Sequence, residues 1–231
     1  MNEKLCAVAI DGPAGAGKST IAKAAAARYG FIYVDTGAIY RTVGLAARRA
    51  DIDPHDPEAV KGILPSLSIR FDYGADGTQR MFLGEEDVSA LIRTPEISLY
   101  ASAVSAIPAV RDFLMDMQRN MAKMTSVVMD GRDIGTVVLP DAGLKIFLTA
   151  SVEARARRRM EELAAKGEQV RYEEVLADMV LRDRNDSTRA AAPLKAAEDA
   201  LLVDTTSMGL EESIEYICAR IAERFGLEEK R

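Results

Sequence analysis

The chain of 231 residues has no tryptophan, a single histidine and two cysteines. It also has no apolar run approaching the roughly 20 residues needed to span a bilayer. Each scarcity closes a class of function. His55 sits between Pro54 and Asp56 in a turn-rich stretch, so neither His-based nucleophilic catalysis nor a histidine metal cluster is open to it. Cys6 and Cys218 stand alone without C-x-x-C spacing and read as core thiols of a reducing compartment, not as zinc ligands or a disulfide framework. The formal net charge is −6, from 30 Lys and Arg against 36 Asp and Glu, and lacks the basic surplus of a nucleic-acid-binding surface. No charged leader, apolar segment or small-residue cleavage site opens the sequence. The expectation is a cytoplasmic monomer with neither a membrane nor a nucleic acid as partner. Its chemistry must run on Lys, Arg, Asp, hydroxyls and a magnesium ion.

What is present begins at Ala7-Val8-Ala9-Ile10, an apolar strand that runs into Asp11-Gly12-Pro13-Ala14-Gly15-Ala16-Gly17-Lys18-Ser19-Thr20 and then an alanine-rich helix over Ile21 to Arg28. The spacing Gly12, Gly17, Lys18, Ser19 fits G-x-x-x-x-G-K-[ST], a phosphate-binding P-loop in the required strand–turn–helix context. Glycines let backbone N–H groups converge on phosphate oxygens, and the following helix turns its unpaired N–H groups toward the anion. Gly12, Pro13, Ala14, Gly15, Ala16, Gly17, Lys18, Ser19 and Thr20 are therefore the nucleotide-binding candidates. Lys18 reaches the β- and γ-phosphates, and the Ser19 hydroxyl is the magnesium ligand.

Phe31-Ile32-Tyr33-Val34 predicts a second strand, turning at Asp35-Thr36-Gly37 into a helix from Ala38 to about Ala50. This β-α-β-α opening implies a parallel sheet with crossover helices. In such sheets ligands collect at the C-terminal ends of the strands, which makes Thr36, Tyr40 and Arg41 candidates for a second ligand. Residues 51 to 108 change character: Leu67 to Phe71 and Gln79 to Leu83, joined by the turn Tyr73 to Gly77, predict a hairpin in an inserted subdomain. Helices are expected from Thr94-Pro95-Glu96 and from Ala109 to Lys123, with Ser102 and Arg111 bracketing their junction.

Thr125 to Met129 predicts a strand ending in the charged loop Asp130-Gly-Arg-Asp-Ile-Gly135, and Leu144 to Leu148 another. A helix capped by Ser151 and stopped at Gly167 carries an apolar stripe of Val152, Ala156, Met160 and Leu163, with Arg155, Arg157, Arg158 and Arg159 projecting elsewhere. Beside a nucleotide site these guanidinium forks match phosphate oxygens. Arg155 is assigned to the nucleotide, and Arg158 and Arg159 to catalysis. A further helix spans Tyr172 to Asp183, and Arg182 to Arg189 reads as charged and irregular. Ala200 to Val203 is a last strand, Leu210 to Phe225 a closing helix, and Glu228 to Arg231 a frayed tail. Arginines recur at loop ends: Arg41, Arg93, Arg111, Arg132, Arg182 and Arg189. Such clamps suit an acceptor whose attacking oxygen is already ionised, a phosphate, which needs no base.

The segments Ile10 to Thr20, Asp35 to Arg41, Ile92 to Pro95, Asp130 to Val138 and Arg182 to Arg189 with Ala192 to Leu194 together resemble the bacterial cytidylate kinases. They run from end to end of the chain in the family's order. The segment Gly84-Glu85-Glu86-Asp87 departs from the family pattern and leaves the register of the hairpin open. The resemblance implies an α/β P-loop nucleoside monophosphate kinase-like fold. That is a central parallel sheet flanked by helices, with an inserted NMP-binding subdomain containing a small antiparallel sheet, and a helical lid. The expected division is a core of residues 1–36, 109–154 and 190–231, an NMP-binding subdomain over 37–108 and a lid over 155–189.

It further implies ATP and magnesium as cofactors, and CMP and dCMP as substrates. Arg41, Arg132 and Arg189 would hold the CMP phosphate, Asp186 and Arg182 the sugar with Thr36 nearby, and Ser102, Arg111 and Asp133 the cytosine. Tyr40 and Arg93 complete the acceptor candidates, and Lys18 and Arg132 join Arg158 and Arg159 as catalytic ones. Rival readings are a kinase for shikimate or another nucleoside monophosphate, and a slow nucleotide-hydrolysing switch. The switch calls for an N-K-x-D motif that the sequence does not contain.

Overall fold

The structure, a computed structural model, describes residues 5–228 apart from Asp76 and Lys166. Part of the expected Tyr73 to Gly77 turn and all but one residue of the expected frayed tail therefore lie outside the described residues. Contacts divide the chain into two compact units: one holds the residues up to Tyr33 together with those from Thr125 onward, the other is Val34–Met124.

The first unit is built on a five-stranded sheet of order β2-β6-β1-β7-β8, comprising β1 Ala7–Asp11, β2 Ile32–Asp35, β6 Val127–Gly131, β7 Leu144–Thr149 and β8 Leu201–Asp204. Strand β2 starts in this unit and runs on into the other. Strand β1 is central and pairs in parallel with β6 and β7. Its Val8, Ala9 and Ile10 are fully buried, the two-sided burial that an unbroken apolar run in a parallel sheet requires. Helices α1 (Lys18–Tyr29) and α8 (Leu210–Phe225) close one apolar core through Ile21, Ala25, Ile217 and Ile221. α8 stops at Gly226, whose φ of 64° ends the helix in the left-handed region. Helices α6 (Val152–Ala165) and α7 (Tyr172–Thr188) form a smaller cluster around Ala156, Leu163, Val175 and Met179.

The second unit carries α2 (Thr36–Arg49), α3 (Pro57–Ile63), α4 (Pro95–Val104), α5 (Pro108–Met124) and an antiparallel sheet of β3 (Ile69–Tyr73), β4 (Gln79–Leu83) and β5 (Glu86–Asp87). Gly44 lets α2 and α4 approach closely, since a Cβ there would lie 3.0 Å from the Ala101 nitrogen. Three features depart from the sequence expectation. α3 forms where only punctuated segments were expected, because Asp56 caps it and Pro57 takes its first position. The departing segment Gly84 to Asp87 turns back as a third strand, with Phe82 opposite Asp87. Contacts place α5, with Val110 and Leu114 in the core of this unit, although residues 109–154 were expected to belong with the main sheet.

No single described helix is long and apolar enough to cross a membrane. Only α4 and α5 taken together reach that length, bent by 100°, and their Ile97, Ala101, Val104, Val110 and Leu114 are buried in the core.

Candidate active site

The P-loop leaves β1 at Gly12, where φ is 150° and a Cβ would lie 1.9 Å from the Leu148 carbonyl oxygen. Only glycine fits. Gly17, at φ 88°, immediately precedes α1, so the first N–H groups of that helix open onto the loop. Lys18 is buried, and its ammonium donates across the loop to the Pro13 carbonyl at 2.7 Å. Burial first, and then the charges of Arg132 and Arg182, push its pKa well below the ordinary lysine value, against the opposing pull of Asp130 and Asp11.

Asp130, at the end of β6, is buried and accepts hydrogen bonds from the Ser19 hydroxyl at 3.0 Å and the Tyr33 hydroxyl at 2.9 Å. It is a site residue that the sequence assignment missed. The available signal was a carboxylate ending a strand that pairs with the P-loop strand, as Ile10 and Asp130 do. Ser19 and Asp130 together offer hydroxyl and carboxylate oxygens, a donor set that suits the hard cation magnesium.

Asp11 is a second unforeseen carboxylate. It accepts from the Ile134 and Gly135 N–H groups, each at 2.7 Å, and so fixes a π-type turn over Ile134–Val138. Burial raises its pKa to about 6, despite those two bonds. The turn follows Arg132 and Asp133, the residues that the sequence singled out. Arg132 donates to Asp186 at 2.8 Å and Arg189 to Asp133 at 3.3 Å. Burial alone would raise the pKa of Asp186, but Arg132, Arg182 and Arg189 hold it below the usual carboxylate value. The structure thus gathers Arg132, Asp133, Arg182, Asp186 and Arg189 into one charged cluster, of which Arg132 and Arg182 also bear on Lys18. This is possible because α7 does not end at Asp183 as expected but continues to Thr188, putting Arg182 and Asp186 one turn apart on one face.

Among the arginines of α6, Arg155 departs from the expected outward projection. Arg155 does not project from the protein: it is buried, and its guanidinium donates to the Ala150 carbonyl at 2.9 Å, the Ala14 carbonyl at 3.0 Å and both oxygens of Asp183. It reaches the P-loop as a bracket to backbone. Arg158 donates to the Thr205 carbonyl at 2.5 Å and hydroxyl at 3.2 Å, on the loop after β8, and Arg159 pairs with Glu162 at 2.9 Å along the helix surface.

In the second unit, Asp35 caps α2 by accepting from Ala38 N–H at 2.8 Å and pairs with Arg41 at 2.9 Å. Thr36 is buried at the first turn of the helix. The Arg111 guanidinium lies 5.6 Å from the Tyr40 ring centroid and donates to the Ser105 carbonyl at 3.2 Å. The Ser105 hydroxyl in turn donates to the Ser102 carbonyl at 2.8 Å, so Tyr40, Ser102 and Arg111 are brought together. Arg93 is exposed at the end of a short 3₁₀ turn.

Comparison with known proteins fits this geometry. The family model for cytidylate kinase matches residues 8–223. The chain belongs to the cytidylate kinase family. Similar members include the cytidylate kinase of Caldicellulosiruptor bescii, 52% identical over 210 residues that cover 91% of this chain and 92% of that protein. Another is that of Pelotomaculum thermopropionicum, 50% identical over 215 residues covering 93% and 95%. Among solved structures, shikimate kinase from Bacteroides thetaiotaomicron is similar at 15% identity with a TM-score of 0.47, covering 97% of this chain and 100% of that one. That likeness is too slight to bear on the acceptor. Membership of the cytidylate kinase family makes the chain a nucleoside monophosphate kinase with ATP as phosphate donor and sets aside the switch reading.

Proposed function

We infer that the protein transfers the γ-phosphoryl group of ATP to cytidine monophosphates, ATP + (d)CMP giving ADP + (d)CDP. The observation that carries this is the identity of about half the residues with cytidylate kinases across more than nine-tenths of both chains. An oxygen of the CMP phosphate attacks the γ-phosphorus, the bond to the bridging β–γ oxygen breaks, and that oxygen leaves with its electron pair on ADP. The attacking oxygen is already ionised near neutral pH, so the protein neutralises charge and aligns the partners.

Lys18 and the N–H groups at the start of α1 hold the donor phosphates. Ser19 and Asp130 would hold magnesium, which supplies charge neutralisation on the donor. Arg41, Arg132 and Arg189 take the acceptor phosphate, Asp186, Arg182 and Thr36 the sugar, and Ser102, Arg111 and Asp133 the base. Cytosine presents an N4 donor and the O2 and N3 acceptors; uracil reverses the pattern at positions 3 and 4, and a carboxylate facing its O4 would lose about 1–3 kcal/mol. Residues 37–108 act as the acceptor subdomain and 155–189 as a lid that excludes water, the competing acceptor. Within that lid Arg155 supports the phosphate loop through Ala14. A monomer working in the cytoplasm satisfies this scheme.

The deciding experiment is a coupled ADP-release assay on CMP, dCMP, UMP and AMP with ATP and magnesium. CMP and dCMP should be turned over at least tenfold more efficiently than AMP. Equal efficiency on AMP and CMP overturns the reading.

A further inference from the structure

Gln79 is the polar residue in an apolar row. It opens β4, whose alternate residues Gln79 and Met81 are both buried, a row that apolar side chains fill at least cost. Its amide meets Asp35 with both of its polar atoms, and its nitrogen also lies 3.2 Å from the Met81 sulfur. The Asp35 N–H donates to Gln79 Oε1 at 2.8 Å, and Gln79 Nε2 donates to the Asp35 carbonyl at 3.3 Å. This two-way pairing is what a neighbouring strand would offer, made by a side chain at the residue where β2 becomes α2. It fixes the peptide planes on both sides of Asp35.

Asp35 passes that fixation on. Its carboxylate caps α2 and holds Arg41 through Nη2 at 2.9 Å. The pair lies tightly over Gly37, where a Cβ would be 3.0 Å from Arg41 Nη1 and 3.1 Å from Asp35 Oδ1. Arg41 Nε is buried with no hydrogen-bond partner among the described residues, so the guanidinium is held from one side with a donor left over, and such a donor costs free energy unless a ligand takes it.

We propose that Gln79 is a positioning residue for the acceptor phosphate, coupling the inserted antiparallel sheet through Asp35 to the orientation of Arg41. The inference rests on the reading of the protein as a CMP kinase in which Arg41 meets the acceptor. It gives the insertion a task in acceptor binding beyond its bulk.

The test is initial-rate kinetics and calorimetric CMP binding for Gln79→Leu and Gln79→Glu, alone and with Arg41→Ala. Gln79→Leu keeps the volume and removes both bonds to Asp35; it should raise the KM and Kd for CMP about tenfold and leave the KM for ATP within about twofold. Gln79→Glu keeps the acceptor for the Asp35 N–H and should fall between it and wild type. In the Arg41→Ala background Gln79→Leu should add less than about twofold, since the two act on one contact. A purely structural glutamine would instead lower the thermal midpoint and leave the KM for CMP unchanged, or add its full effect in the Arg41→Ala background, and either result overturns the proposal. Should Gln79→Leu not fold, Gln79→Glu carries the same comparison. Wild-type protein that neither binds nor phosphorylates CMP refutes the functional reading itself, whereas normal wild-type kinetics with normal variants refutes this inference alone.

Discussion

The Ser19 hydroxyl donates to Asp130 Oδ2 at 3.0 Å, joining the first turn of α1 to the end of the neighbouring strand β6. Tyr33 donates to the other oxygen of the same carboxylate, so Asp130 is oriented from two sides before any cation arrives. A carboxylate held in that way tunes metal affinity even where it is not itself a ligand.

Asp130→Asn should therefore raise the magnesium concentration giving half-maximal CMP phosphorylation by about 10–100-fold, with a smaller change in the KM for CMP. The check is a magnesium titration of the rate at saturating ATP and CMP. A midpoint equal to that of wild type would detach Asp130 from the metal.

Lys18→Met should lower kcat by about 10²–10³, the usual consequence of removing a fixed charge that meets a developing anion. Its stability should match or exceed that of wild type, because burial disfavours the Lys18 charge and methionine fills the same space without that desolvation cost. Single-turnover kinetics and a urea titration check the two halves separately. Loss of both activity and fold would make Lys18 a structural residue.

The chain's own pattern made some of this legible and some not. The P-loop, the β-α-β order and the hairpin are local signals, written in glycine spacing, apolar runs and alternation, and they recur in the structure within a residue or two. Arg155 was expected to project away from the apolar stripe toward the nucleotide; its burial was not legible because its four acceptors on Ala14, Ala150 and Asp183 include residues far along the chain, which a helical wheel does not show. Asp11 and Asp130 were passed over for the same reason: their partners Ile134, Gly135 and Ser19 lie more than a hundred residues away. The charged run after Asp183 read as irregular because composition argues against a core, yet one face of it, Asp186, is buried by the arginines it neutralises.

Arg155 supplies a stability prediction. Its pair with Asp183 is largely buried, with side-chain exposures of 5% and 25%, and removing one partner of such a pair leaves an uncompensated charge. Arg155→Ala should cost about 3 kcal/mol, and Arg155→Lys should recover little, because one ammonium cannot span Ala14, Ala150 and both Asp183 oxygens. Urea midpoints decide it. A cost below about 1 kcal/mol for Arg155→Ala would mean that α6 and α7 hold their packing through the apolar cluster alone.

Asp11 makes folding stability depend on pH in a direction opposite to that of most carboxylates. Its pKa rises from 3.8 to about 6 on folding, chiefly because burial disfavours the charge. Between those values the folded chain binds more protons at this site than the unfolded chain, so stability falls as pH rises. The contribution of the protonated group is present in full below about pH 4 and lost by about pH 6, a change of about 3 kcal/mol for a shift of this size. Asp11→Asn keeps a neutral side chain of the same shape with one oxygen for the Ile134 or Gly135 N–H, and it cannot titrate. The stability of wild type relative to Asp11→Asn should therefore decline from pH 4 to pH 6 and level off above, when both are followed by urea denaturation across that range. Curves that stay parallel would mean that Asp11 ionises normally and that its two backbone bonds fully offset its burial.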